Sequence, residues 1–242
     1  MKKQAVIEKN WRIKVPDNEN IRLVLANPPQ YYRERLEKIS FVGQRTRILD
    51  AGCGAGHWSL AASFLNLEVK GIDATAEYLR VAKRIKTAFR RQNIGLCFGK
   101  IEKLPYPDNY FDFVLSYCAW MYTDRPKSLA EMSRVLKPGG KIYLGAVAGL
   151  GWYLSLIWQG VREGKRNLVY ESLKAIQKRI NTSENEARRL LDECGLKIID
   201  LGSDAQIGNP KISIKPSYKD KILGFWNVFE VLAQKPQRKE EK

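Results

Sequence analysis

Apolar and polar positions along the chain switch between two periods. A short apolar run at 47–51 delivers the chain into Gly52-Cys-Gly-Ala-Gly56, and from 58 to 65 apolar residues recur at helical spacing. Strand, glycine turn and helix therefore follow in order. The alternation continues with strands over 68–73, 95–99 and 111–116 and helices over about 75–92 and 126–136. Lys137-Pro-Gly-Gly140 reads as a tight turn before a fifth strand at 141–144. Ser183-Glu-Asn-Glu186 has capping-box spacing for a helix that Gly195 ends. Strands over 196–201 and 225–233 complete the series. Alternating β and α units predict a mostly parallel, Rossmann-like α/β sheet with helices on both faces.

The chain of 242 residues is expected to form a single domain. Its parts are a lead-in helical region at 1–45, a core at 46–148, a helical cap insertion at 149–180, a C-terminal helix with closing strands at 181–235, and a polar tail at 236–242. Residues 142–161 carry no charge, long enough to be weighed as a membrane span, but Gly145, Gly149, Gly151 and Gly160 with Ser155 and Gln159 fit a strand, a joint and a short helix better. The first residues lack the apolar stretch of a secretory leader, so the expected location is cytoplasmic.

The formal charge is +16. The basic excess is spread over all three parts of the chain, 1–45, 46–145 and 146–242, which argues against a nucleic-acid-binding arm. The densest cluster, Arg80, Lys83, Arg84, Lys86, Arg90 and Arg91, is interleaved with apolar residues at helical spacing and reads as a solvated helix face. Four separated cysteines without a CxxC pair, and a single histidine, give no metal-binding spacing.

The glycine turn carries the candidate chemistry. A strand feeding glycines and a helix start offers backbone N–H groups to a ligand without interference from Cβ. The third glycine of a dinucleotide fingerprint would fall at 57, which is His57, and no Walker A lysine follows. Asp50, two residues before Gly52, would repel a pyrophosphate and attract an ammonium. Asp73 ends the next strand, where an acid can accept both hydroxyls of a ribose. Ile101 and Glu102 follow the third strand in a place to edge an adenine. His57 opens the helix after the turn. The helix dipole is expected to keep its ring neutral, so that it takes a proton from a substrate hydroxyl or, in the alternative, only caps and packs. Tyr31 and Tyr32 lie on a lead-in helix whose expected role is packing.

With four blocks in order, namely Asp50 with the glycine turn, the strand ending at Asp73, residues 98–116, and Leu136-Lys-Pro-Gly-Gly-Lys-Ile-Tyr-Leu144, the sequence resembles the class I S-adenosylmethionine-dependent methyltransferases, particularly the subgroup with small-molecule and ubiquinone-pathway enzymes, over about 46–145. The resemblance implies a seven-stranded sheet with its last strand antiparallel and S-adenosyl-L-methionine as cofactor. It implies that Asp50 and the turn, with Gly52, Cys53 and Gly54, hold the methionine end, that Asp73 and Ala74 lie at the ribose, and that Ile101 and Glu102 lie at the adenine. Ser116 and Tyr117 would form the floor, and no metal is implied. Two departures stand out: Lys100 sits where the subgroup often has an acid, and Trp120-Met-Tyr122 replaces a stretch that often carries histidines. The implied activity is methyl transfer to a small-molecule acceptor such as a sugar, a quinone-like compound or a lipid-linked metabolite. The alternatives are an RNA methyltransferase and a noncatalytic cofactor-binding subunit. Residues 149–166 pair Trp152, Tyr153, Leu156, Ile157 and Trp158 with Arg162, Lys165 and Arg166, which suits either a lid packed over the acceptor or a peripheral membrane contact.

Overall fold

The computed structural model describes residues 2–216 and 220–237, so residues 238–242 of the expected tail lie outside the described part. Three short helices lead in: α1 (Lys2–Trp11), α2 (Glu19–Val24) and α3 (Pro29–Lys38). The Asn18 side chain caps α2 by accepting from the Ile21 N–H, and Pro29 starts α3 where a missing N–H does no harm. The core then alternates through β1 (Gly43–Ala51), α4 (His57–Ser63), β2 (Asn66–Asp73), α5 (Ala76–Ala88), β3 (Ile94–Phe98), β4 (Phe111–Tyr117), α6 (Arg125–Val135) and β5 (Leu136–Ala148). The insertion is a pair of helices, α7 (Leu150–Arg162) and α8 (Arg166–Gln177). After it come α9 (Glu184–Glu193), β6 (Lys197–Ser203), the short strands β7 (Lys221–Ile222) and β8 (Phe225–Trp226), and β9 (Val228–Gln234).

Seven strands form one sheet in the order β3-β2-β1-β4-β5-β9-β6, with β9 antiparallel to both neighbours. The centre of the sheet is covered on both faces, so successive residues are buried at the end of β1 (Ile48 to Ala51) and in β4 (Val114 to Ser116). On one face Ile48, Val69 and Leu115 pack against Leu36 of α3, Trp58 of α4 and Val81 of α5. On the other, Leu49, Ile72, Val114 and Leu144 meet Met132 of α6 and Leu190 of α9. Ser183 caps α9 as expected, accepting from the Glu186 N–H at 3.1 Å.

Two boundaries differ from the sequence reading. The run expected as one strand over 225–233 divides: Phe225 and Trp226 pair with β7 in a hairpin, and only β9 joins the main sheet. Asn227 separates the two, its N–H bound to the Asp220 carbonyl. The expected turn at 137–140 is instead absorbed into β5 as a bulge. Phe111 pairs with Leu136 while Phe113 pairs with Lys141, and Gly139 adopts φ +79°.

A buried ion cluster fastens the lead-in helices to the far half of the sheet. Arg35 of α3 is 3% exposed and bonds Asp204 at 2.8 Å, the Tyr143 hydroxyl at 2.8 Å and the Glu230 carboxylate. Tyr143 donates to the same Glu230 oxygen at 2.6 Å, and the other Glu230 oxygen accepts the Ala205 N–H at 3.1 Å. Burial by itself would lower the arginine's pKa, but Tyr143, Tyr117 and Asp204 around it raise it, so it stays charged. One turn on, Lys38 donates to the Ala205 carbonyl at 2.8 Å. Removing one member of such a cluster strands the others without water. Arg35→Met is therefore expected to lose roughly 3–5 kcal/mol of stability, read as a lower urea midpoint. A midpoint unchanged from the parent would refute this role for the cluster.

Candidate functional site

The order of strands reverses between β1 and β4, and at their carboxyl ends this leaves a crevice of the kind open α/β sheets use for ligands. The glycine turn forms one wall of it. Gly52, Gly54 and Gly56 all have left-handed backbones, with φ +80°, +50° and +79°. A Cβ on Gly52 would lie 2.3 Å from that of Ala119, and one on Gly56 would lie 2.8 Å from that of Ala82 on α5. Before Gly54 there is open space, the nearest atom being Tyr78 Cδ2 at 4.0 Å. Gly52 and Gly56 thus serve packing, and Gly54 leaves room for something else.

The turn's N–H groups do not face outward as expected. Those of Gly52 and Cys53 donate to the Ile72 carbonyl at 2.8 and 3.0 Å, that of Gly56 to Cys53, and that of Gly54 to Asp73 Oδ2 at 2.8 Å. The reason lies in β2. It runs parallel to β1, and its end supplies acceptors to the turn before any ligand arrives. Asp73 is the organiser, because its other oxygen accepts the Thr75 N–H at 2.8 Å ahead of α5. It is half-buried, and each oxygen keeps a second lone pair for a ligand. Ala74 beside it is exposed, whereas Cys53 is buried and lends only its backbone.

Asp50 lies beneath the turn rather than in the open crevice. It is 1% exposed, and Ser59 of α4 donates its hydroxyl to Asp50 Oδ2 at 2.6 Å. Burial pushes its pKa to about 7, with Asp73 adding to the rise and Ser59 opposing it. His57 is likewise enclosed, its ring 4.9 Å from that of Tyr32 on α3. Its neutrality follows from burial, which lowers its pKa to about 3, and not from the helix dipole. A ring so hard to protonate is a poor general base at neutral pH. The ring is thus enclosed and packed against Tyr32, the arrangement that the capping and packing alternative expects.

The expected floor splits, because successive strand residues face opposite sides. Tyr117 turns toward α3, with its ring 4.8 Å from that of Trp58 and its hydroxyl 3.4 Å from Arg35. Ser116 is 1% exposed, and its hydroxyl has no partner among the described residues, nor do Nδ1 of His57 and Nε1 of Trp58. Buried polar atoms without partners are uncommon away from ligand sites. Ile101 is buried, within 3.4 Å of where a Gly52 Cβ would be. Glu102 accepts the Asp124 N–H at 3.0 Å, tying the loop after β3 to the start of α6. Lys100 is exposed.

Sequence reasoning missed the ring of Arg35, Tyr143, Asp204 and Glu230 behind this wall. One signal was available: Glu230 is a lone acid inside the apolar run Val228-Phe-Glu-Val-Leu-Ala233. An acid there has to find a buried cation.

Residues 49–144 match the family model of the methyltransferase domain. The chain is 39% identical over 99 residues to the uncharacterized methyltransferase YcgJ of Bacillus subtilis, covering 40% of this chain and 39% of that protein. It is also 39% identical over 115 residues to demethylmenaquinone methyltransferase of Staphylococcus aureus, covering 46% and 47%. The chain thus spans less than half the length of these relatives. Among solved structures, B. subtilis YcgJ superposes with a TM-score of 0.59 at 20% identity, over 86% of this chain and 99% of that one. Geranyl diphosphate methyltransferase in complex with SAM gives 0.61 at 17% identity, over 91% and 92%. Both likenesses are to the fold.

Two stability predictions follow from the turn. Folded Asp50 holds a proton up to about pH 7, whereas the unfolded chain releases it near 3.8. Its contribution is therefore full below pH 3.8 and lost as pH rises to 7. His57 acts in the opposite sense, since the unfolded chain binds a proton below 6.5 that the folded ring takes only at about 3. Asp50→Asn should therefore gain on the parent between pH 5 and pH 8, by roughly 2–3 kcal/mol. Urea melts at both pH values check it, and a difference independent of pH would refute it. Separately, Gly52→Ala should lose roughly 2–4 kcal/mol through strain and overlap, and Gly54→Ala only about 1. Equal losses would contradict the division of roles between the two glycines.

Proposed function

We propose that the core of this chain, which matches the methyltransferase domain over residues 49–144, is a class I S-adenosylmethionine-dependent methyltransferase domain, and that the protein transfers the methyl group of S-adenosyl-L-methionine to a small-molecule acceptor. The observation that carries the reading is the pair of carboxylates set around one open glycine, with Asp50 desolvated beneath the turn and Asp73 half-buried beside it. Such a pair favours a ligand with a cationic end and a diol and disfavours a pyrophosphate.

The residues present fit the cofactor. The open face of Gly54 admits the ligand's backbone, and the remaining lone pairs of Asp73 accept its ribose hydroxyls. The unpartnered hydroxyl of Ser116 offers it a further hydrogen bond. Ile101 and Glu102, on the loop after β3, would hold the adenine end. An ammonium near Asp50 offsets the burial that holds this carboxyl near pKa 7, so cofactor binding at neutral pH releases a proton. When bound, S-adenosylmethionine supplies a sulfonium methyl whose leaving group departs neutral.

The chain's own part is then to bind, align and exclude water. The lead-in helix α3 closes one side through Tyr32 over His57 and Trp58. Arg35 fixes Tyr31 and Tyr117, donating to their hydroxyls at 3.2 and 3.4 Å, so two phenol rings are held in place at the carboxyl end of β4. Apolar and aromatic walls of this kind suit a small organic acceptor. The names of the relatives, demethylmenaquinone and geranyl diphosphate methyltransferases, point the same way.

Calorimetric titration with S-adenosylhomocysteine tests the reading. Asp73→Ala should weaken binding about ten- to a hundredfold, the loss of a charge-assisted hydrogen-bond pair worth roughly 1.5–3 kcal/mol. Gly54→Ala should remain folded and lose binding. Absence of heat with the folded parent protein, for S-adenosylhomocysteine and S-adenosylmethionine alike, would overturn the proposal.

A further inference from the structure

The α7–α8 hairpin carries more exposed apolar surface than its packing accounts for. Helix α7 has no charged residue before Arg162, yet only Gly151, Tyr153 and Gly160 of it are buried. Tyr153 turns inward against Met121 and Ala148, and Leu156 and Ile157 are half-buried. These three therefore leave the outward-facing set that the sequence suggested. Trp158 stays in that set and Val161 joins it, at 70% and 65% exposure. They lie three residues apart on one helix face. Gly160 lets α8 come close, since a Cβ there would sit 2.6 Å from the Val169 side chain. The close crossing leaves a shallow cleft of about 420 Å³, on whose rim Val161, Tyr170 and Leu173 stand. Tyr170 and Leu173 are 62% and 52% exposed, so the stripe continues from one helix to the other.

A second apolar protrusion lies on the hairpin packed against the first turn of α7, where Gly151 abuts the Phe225 and Trp226 carbonyls. Its tip is Leu223-Gly224, both with left-handed backbone, at φ +50° and +81°. Two-residue turns of this kind normally carry asparagine, aspartate or glycine. Here the position holds a leucine that is 83% exposed. Neither the strain nor the exposure benefits the isolated fold.

Charge decides what covers this surface. Residues 149–180 contain Arg162, Lys165, Arg166, Lys174, Lys178 and Arg179 against Glu163 and Glu171 only. Arg166 lines the cleft itself, and Lys174 lies over the Tyr170 ring at 5.6 Å. Lys221 extends the basic rim to the second hairpin. Bulky apolar side chains ringed by cations match a bilayer with anionic headgroups, in which the apolar groups enter the acyl boundary and the cations meet phosphate. A second copy of this chain would bring the same positive rim and repel it. No helix among the described residues is long and apolar enough to cross a membrane, so the contact is one of surface.

We propose that the α7–α8 hairpin, with the Leu223 tip, docks the protein on anionic phospholipid membranes. The proposal does not rest on the methyltransferase reading, and its test needs no cofactor. The full chain is sedimented with phosphatidylcholine vesicles and with vesicles containing phosphatidylglycerol. It should pellet with the second and not the first, and raised salt should release most of it. Trp158→Ser with Leu223→Ser should weaken vesicle binding at least about tenfold, with an unchanged melting temperature as the control for folding. Arg162→Glu with Lys165→Glu, tested separately, should do the same. No sedimentation with anionic vesicles, or equal binding by the folded Trp158 and Leu223 variant, would overturn the proposal. So would a dimer in solution that this variant dissolves, which would assign the face to a second copy of the chain.

Discussion

One buried arginine ties the lead-in helices to the far strands of the sheet. Arg35 reaches from the lead-in helix α3 into the sheet and is shared by Asp204 after β6 and Glu230 on β9, with Tyr143 of β5 between them. No neighbouring cation replaces it, since Lys38 is occupied with the Ala205 carbonyl. A buried network of this kind contributes less to net stability than to uniqueness, because only one placement of α3 satisfies every member. That placement brings Tyr32 down on His57 and Trp58, and so sets the roof of the ligand crevice. The position of the roof therefore depends on charges outside the glycine turn.

Beneath the turn the logic is reversed. Asp50 is held by Ser59 alone among side chains and has a second carboxylate nearby, so the resting protein carries an electrostatic tension there. Sites that bind a cation tightly are built this way, since the ligand relieves a penalty already present. The turn is held from within the chain: Ile72 accepts the Gly52 and Cys53 N–H groups, Asp73 that of Gly54 and Cys53 that of Gly56, so the crevice is shaped before a ligand enters.

The insertion belongs to neither system. Tyr153, Met121 and Ala148, with Trp152, Ala175, Ile176 and Ile180 packed on them, form a small separate cluster that seats the hairpin at the end of β5, while Trp158, Val161, Tyr170 and Leu173 face outward. An element seated on its own cluster can take its own partner without disturbing the sheet, which is how one fold acquires surfaces unrelated to its core chemistry.

Local pattern sufficed wherever a residue's role is settled by its immediate neighbours in the chain. The strand, turn and helix order, the cap at Ser183 and the glycines of the turn were legible because backbone conformation and burial periodicity are short-range properties. The sheet with its antiparallel last strand came from resemblance, and the observed strand order agrees with it. Tertiary structure alone decided the rest. It brought Arg35 to residues 169 and 195 positions away. It placed Asp50 below the turn and Tyr117 on the opposite side from Ser116. It also made His57 neutral through enclosure by a helix that precedes it in sequence. Each of these depends on desolvation and on contacts between distant segments, and neither quantity is a property of a stretch of sequence until the sheet has formed.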